Sequence, residues 1–241
     1  MFPFYICFLQ EIDSDVYLFF IFFLIILLSD LTHNYHTCTA HSGHTGPLPD
    51  ELALNVKFPL ITMLRDPFDR IVSAYKWWKF MKSRFPGTSG AICSAYDAPE
   101  NATLSEWIDY YPDNWMTRSL LGSHSLYNHK YQALSWGDLQ GAKNRLGAFS
   151  AVLILEEYET SMLVMQRMFG WTQDTEGYLA VNVSPTGRSN SAEDLDDLTR
   201  EKIGRTIHLD LQLYNFALSL FLEQVDQLKI PRPADLWTYD L

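Results

Sequence analysis

The pattern of apolar and polar residues changes character along the chain and marks out its elements. Residues 16–28 (VYLFFIFFLIILL) are unbroken in their apolarity, and the shorter apolar stretch before them is cut off by Gln10, Glu11, Asp13 and Asp15. Residues 58–64 (FPLITML) form a short continuous apolar run, the form taken by a strand buried on both faces of a parallel sheet. Asp66-Pro67 follows and predicts a helix, because Asp66 offers an N-cap oxygen and Pro67 stands at the first helical position, where its missing N–H costs nothing. That helix is expected to reach about Arg84, ahead of Pro86-Gly87.

A loop rich in Gly, Ser, Ala and Pro over residues 87–98 separates this unit from helices expected around 104–110, 114–121 and 136–146. Residues 148–155 (AFSAVLIL) read as a second buried strand, and residues 156–169 as a helix closed by Gly170 at the C′ position. A Ser-capped helix from about Ser191 comes next. The last element is a long amphipathic helix over 209–228, with Leu211, Tyr214, Leu218 and Phe221 on one stripe. Strand then helix, twice, predicts the α/β class with an open parallel sheet flanked by helices. The expected division is an apolar segment, 1–30, and one domain, 31–241.

Composition bounds this picture. A chain of 241 residues that is 47% apolar and 15% aromatic can bury a sizeable core, which excludes wholesale disorder and a collagen-like or coiled rod. Its 18 Lys and Arg against 29 Asp and Glu give a formal charge of −11, which argues against a protein that coats nucleic acid over its whole surface. A local basic cleft remains allowed. No Lys or Arg precedes Lys57, whereas residues 57–85 hold seven basic residues against Asp66 and Asp69.

The run 16–28 is long enough for a signal-peptide core but short of the ~20 residues that span a bilayer alone. Its flank is acidic, so orientation cannot be read from basic residues. A membrane anchor through residues 16–28, a buried apolar helix and a start that is not native protein all stay open. Cys7, Cys38 and Cys93 allow at most one bridge, and their spacing holds no zinc signature, so no metal site is expected.

Candidate chemistry concentrates at the first strand-to-helix turn, residues 64–75 (LRDPFDRIVSAY). Arg65 leaves the end of a strand, which in open α/β sheets faces the ligand crevice. Ser73 lies two turns into the following helix. A phosphate resting between them would take a charge-assisted contact from Arg65 and a hydroxyl bond from Ser73. Alternatively Arg65 forms a structural ion pair with Asp69 or Asp66, and Ser73 is a small packing residue.

The segment resembles the R-D-P-x-x-R-x-x-S-x-Y pattern with which sulfotransferases hold the 3′-phosphate of 3′-phosphoadenosine 5′-phosphosulfate (PAPS). Gly43-His44, the stretch from Asn114 to Gly122, Phe169-Gly170-Trp171 and the stretch from Asp210 to Ala217 follow in the family's order. On these motifs the chain is similar to the membrane-bound, Golgi-type carbohydrate O-sulfotransferases, the group containing the heparan sulfate 2-O-sulfotransferases. The resemblance implies a P-loop-NTPase-like open parallel sheet, PAPS as sulfuryl donor with no metal, and a carbohydrate acceptor rather than nucleic acid. It also implies a single-pass Golgi membrane protein with a lumenal catalytic domain.

By the same resemblance Arg65 and Ser73 bind the 3′-phosphate, Arg188 lies in a loop that folds over the cofactor, and His44 is the catalytic base, with His41 as its backup. A histidine with a pKa of about 6.5 is partly neutral near neutrality and can take a proton from an attacking hydroxyl. One departure stands out. The family places a Gly- and Ser/Thr-rich loop with a Lys, after an early strand, ahead of the His segment; here the positions before His41 hold neither. The sheet is therefore expected to lack its first strand-loop-helix or to carry it altered. Either Lys57 or Lys76 meets the leaving group, or the chain is incomplete, or it is a non-catalytic nucleotide- or glycan-binding relative. No G-x-x-x-x-G-K-[ST] occurs, which disfavours a kinase or NTPase. Arg118 either faces the acceptor or pairs with Asp113, and Trp78 either stacks on a sugar or packs in the core.

Overall fold

The structure is a computed structural model, and it describes residues 5–6, 60–84, 98–122, 132–170 and 195–231. The two apolar runs form the centre of the sheet. Strand β2 (Leu60–Leu64) and strand β3 (Ala151–Ile154) are buried at every position. They pair in parallel, Ile61 opposite Ala151 and Leu64 opposite Ile154. On the other side of β2 lies β1 (Tyr5–Ile6), also parallel, with Tyr5 opposite Leu60. The order β1-β2-β3 puts the strand that leads into the R-D-P turn in the middle. The class is mixed α/β, a small parallel sheet flanked by helices, as the alternation of strand and helix predicts.

The connection from β2 to β3 runs through α1 (Pro67–Arg84), α2 (Leu104–Trp107), a 3-10 turn (Ile108–Tyr110), α3 (Trp115–Leu121) and α4 (Trp136–Leu146). After β3 come α5 (Tyr158–Phe169), α6 (Asp197–Thr206) and α7 (His208–Gln227). Asp66 caps α1 as expected, its carboxylate accepting the N–H of Phe68 at 2.9 Å and of Asp69 at 3.0 Å. Gly170 ends α5 at φ 69°, in the left-handed region that glycine enters without a Cβ clash. Helix α6 departs from expectation. It starts at Asp197 with Asp196 as its cap, whose two oxygens accept the Thr199 N–H at 2.9 Å and the Thr199 hydroxyl at 2.7 Å. Ser191 lies outside the described residues.

Helix α7 lies across β3 and supplies much of the core. Its Leu209, Leu213, Tyr214, Ala217, Leu218, Phe221 and Val225 are buried, whereas Leu211, expected on the same stripe, is only half-buried. The N–H groups of β3 that point away from β2 find side chains: Gln224 accepts from Val152 at 3.3 Å, and Ser161 accepts from the Ile154 N–H at 3.0 Å while donating to its carbonyl at 2.8 Å. Side chains thus satisfy these groups at the outer edge of β3.

The starts of α3 and α7 cap each other. Asp210, in the first turn of α7, accepts the N–H groups of Met116 and Thr117 at 3.0 and 2.8 Å and the Thr117 hydroxyl at 2.8 Å. Asn114, left-handed at φ 46°, accepts the Leu209 N–H at 2.8 Å with its side chain and donates its own N–H to the Thr206 carbonyl at 2.7 Å. Arg70 of α1 closes the group. It is 3.8 Å from Asp210, donates to the Tyr111 hydroxyl at 2.6 Å and lies 4.9 Å over the Trp115 ring. Burial pushes the Asp210 carboxyl above its ordinary range against the pull of Arg70 and of these N–H donors. A buried charge is tolerated in such a place because it is paired and hydrogen-bonded.

The expected signal-anchor, the membrane association through residues 16–28 and the single-pass Golgi placement built on them do not stand. No helix among the described residues is long and apolar enough to cross a membrane. The physical reason is plain in the longest of them, α7, whose 20 residues include Asp210, Glu223 and Asp226 and whose apolar side is spent on the sheet. Residues 16–28 lie outside the described residues.

Candidate active site at the carboxyl edge of the sheet

The chain leaves β2 at Leu64 and β3 at Ile154, side by side, so the residues that follow them meet at one edge. The ladder continues one step further, the Leu155 N–H donating to the Leu64 carbonyl at 2.8 Å. Beyond it the backbone pairing is replaced by a side chain. Glu156 Oε1 accepts the Asp66 N–H at 3.0 Å, and Glu156 Oε2 accepts the Tyr214 hydroxyl of α7 at 2.8 Å. Arg65 is therefore held between two anchored peptide groups.

Arg65 projects from this turn with 27% of its side chain exposed, and its contact with Asp69 is long, 3.9 Å. Asp69 and Ser73 stand four residues apart within α1 and so share one of its faces, and Arg65, just before the helix, reaches Asp69. Ser73 is half-buried there. Of the two readings of Arg65, the ion pair to Asp69 is present, and it is long and partly exposed. The first N–H groups of α1 are already taken by Asp66. The bare helix start is therefore not open to an anion.

Two carboxyl groups share the edge, and both are pushed above their ordinary range. For Asp66 the main cause is burial, which outweighs the N–H bonds of Asp69 and Phe68. For Glu156 it is again burial, with the negative charge of Asp66 adding to it and the Asp66 N–H and Tyr214 hydroxyl opposing it. Glu156 is exposed as a whole residue, yet protein crowds its carboxylate.

Other candidates fall elsewhere. Arg118 is buried and bound to Asp113 at 2.7 Å and to the Gln132 carbonyl at 2.8 Å, so its pairing role holds. Trp78 is buried and stacks on Tyr75 at 5.7 Å, which assigns it to the core; the aromatic pair at the surface is Trp77 with Phe80, 5.4 Å apart. Arg70 is withdrawn into the core, so the basic excess of residues 57–85 reaches the surface only in part. Lys76 is half-buried on α1. His41, His44, Lys57 and Arg188 lie outside the described residues. Among the described residues no three His, Cys, Asp or Glu side chains come together as metal ligands.

Sequence reasoning did not single out Glu156 or Tyr214. The available signal was a glutamate placed directly after an apolar strand, where any side chain faces the same edge as Arg65. Residues 32–217, well over half of the chain, match the family model described as the sulfotransferase family. That span contains His44, Arg65, Ser73 and Arg188, together with the Asn114 and Asp210 segments. No curated protein matches the chain.

Proposed function

Since the chain belongs to the sulfotransferase family, we propose that it binds PAPS at the carboxyl edge of its sheet and transfers a sulfuryl group to a hydroxyl of a carbohydrate acceptor. The observation that carries this reading is Arg65 itself, partly exposed and only loosely paired with Asp69 at the end of β2, within an R-D-P-x-x-R-x-x-S segment that continues to Ser73 in α1. The fit is chemical: a partly exposed guanidinium in a loose pair, with a hydroxyl two helical turns on, suits the 3′-phosphate. Bound PAPS would supply the activated sulfuryl group, with adenosine 3′,5′-bisphosphate as its leaving group.

The chain's own residues would bind and move a proton. Arg65 and Ser73 hold the 3′-phosphate, and Arg188 reaches the cofactor from its loop. His44 takes the proton from the acceptor hydroxyl as that oxygen bonds to sulfur. The order of the motifs supports the carbohydrate O-sulfotransferases, the group containing the heparan sulfate 2-O-sulfotransferases. The parallel sheet supports a P-loop-NTPase-like arrangement altered at its first strand-loop-helix. The net charge of −11 favours a neutral or lightly charged glycan over a long polyanion as acceptor.

One sequence observation favours a second reading. Ahead of His41 there is no Gly- and Ser/Thr-rich loop with a Lys to meet charge on the leaving oxygen. A nucleotide-binding relative that does not transfer sulfate fits that departure. Calorimetric titration with adenosine 3′,5′-bisphosphate tests the site common to both readings. Binding in the micromolar range, weakened by about 1.5–3 kcal/mol in Arg65→Ala, is the expected result; affinity unchanged by the substitution refutes the phosphate assignment. Transfer of labelled sulfate from PAPS to a glycan, lost in His44→Ala, then separates enzyme from binding protein.

A further inference from the structure

The turn that carries Arg65 is fixed by a residue from the far strand. The Leu64 carbonyl, just before Arg65, is bonded to the Leu155 N–H, and the Asp66 N–H, just after it, is bonded to Glu156 Oε1. The next residue after Leu155 thus continues the ladder with its side chain where the backbone stops. The second carboxylate oxygen is held in turn by the Tyr214 hydroxyl, on the helix that Asp210 ties to α3. A carboxylate with both oxygens engaged by groups on different elements has little freedom to move. It transmits that rigidity to the peptide that sets the direction of Arg65.

We infer that Glu156 is a positioning residue for anion binding: it orients Arg65 and the start of α1 toward the nucleotide's 3′-phosphate without touching the phosphate itself. The inference rests on the proposed nucleotide site and adds a residue to it. The sign of its charge argues the same way. A glutamate beside an anion site would repel the ligand if its only effect were electrostatic, so its presence at this edge calls for a geometric role. Tyr214 shares the task as the group that orients the carboxylate.

The test is a double-mutant cycle on the full chain, read by calorimetric titration with adenosine 3′,5′-bisphosphate. Glu156→Ala is expected to weaken binding about tenfold, the scale of losing a well-placed charged contact. In an Arg65→Ala background the same change is expected to cost less than about twofold, because there is no longer a guanidinium to aim. Glu156→Gln is expected to restore binding to within about threefold, since its amide oxygen still accepts the Asp66 N–H and its NH2 donates to the Tyr214 oxygen.

Equal losses in both backgrounds, no loss, or tighter binding in Glu156→Ala would each overturn the positioning role. If Arg65→Ala leaves binding unchanged, the nucleotide site itself is wrong; if Arg65→Ala weakens binding and Glu156→Ala does not, only the positioning role is lost. Should Glu156→Ala fail to fold, Tyr214→Phe replaces it in the same cycle. It removes only the hydroxyl that orients the carboxylate, and additivity with Arg65→Ala then counts against the inference.

Discussion

Arg65 and Arg70 stand five residues apart in one motif and meet opposite environments. Arg70 and its partner Asp210 are 1% and 0% exposed, among aromatic rings and capping groups, while Arg65 and Asp69 are 27% and 36% exposed and 3.9 Å apart. The difference comes from helical geometry. Arg65 lies before the helix, at the strand end; Arg70 lies within its first turns, on the side that faces α3 and α7. One arginine is consumed in holding three segments together, and the other is left available to a ligand. Basic residues that look equivalent in the sequence therefore divide into a buried, structural set and an accessible one.

The largest effect that separates the two regions is expected at Asp210. Asp210→Ala strands Arg70 in the core and uncaps α3, and should destabilise the protein by roughly 3–5 kcal/mol, the scale for breaking a buried pair. Urea unfolding reads this directly; a loss below about 1 kcal/mol, the exposed-pair scale, would mean that the group is no tighter than the edge pair.

Asn114 comes next. Asn114→Ala loses the acceptor of the Leu209 N–H and puts in the left-handed region a residue that tolerates it less well than Asn, together about 2–3 kcal/mol, whereas Asn114→Gly loses the acceptor but carries no Cβ there, about 1 kcal/mol. Equal losses in the two variants, measured in the same unfolding experiment, would show that the left-handed conformation at φ 46° carries no cost. At the edge the expectation reverses. Arg65→Ala should change stability by less than about 0.5 kcal/mol, since exposed pairs contribute little, even as nucleotide binding falls. A loss of stability comparable to that of Asp210→Ala would place Arg65 with the structural set.

Much of this division was legible along the chain, and the rest depended on contacts that no local pattern records. Both strands were readable because buried parallel strands are continuous apolar runs, and α1 because Asp66-Pro67 is a local start signal. Gly170 marked the end of α5 for the same reason. The start of α6 was missed because Ser191 and Asp196 are both acceptable caps, and only the fold decides which one the helix uses. Arg70 counted as part of a basic surface, since nothing near it in sequence announces Asp210. Glu156 escaped notice because its partner, the Asp66 N–H, is 90 residues away and belongs to the backbone. The place of Arg65 at a strand end was legible from the apolar run before it, whereas the phosphate-binding role proposed for Arg65 and Ser73 rests on the motif.

The smallest effect expected is a slope, and it probes the edge alone. Burial raises the Glu156 carboxyl above its ordinary value of 4.5, so the folded protein holds that proton more tightly than the unfolded chain does. The stability this confers is fully present below the unfolded value and is lost as pH rises through the folded one. Glu156→Gln has no such proton to lose. Across that window the variant should gain on the native chain as pH rises, and above it the difference should be constant.

Asp138 supplies the opposite sign, because bonds from the Ser135 hydroxyl and N–H lower its pKa, and its contribution is lost as pH falls. Urea unfolding of the native chain and Glu156→Gln over a pH series measures the difference. A variant that instead falls behind as pH rises would mean that the folded edge favours the charged carboxylate. The Asp66 N–H and the Tyr214 hydroxyl would then outweigh burial, and the edge would differ from the closed Arg70 group, where burial holds the Asp210 carboxyl above its ordinary range.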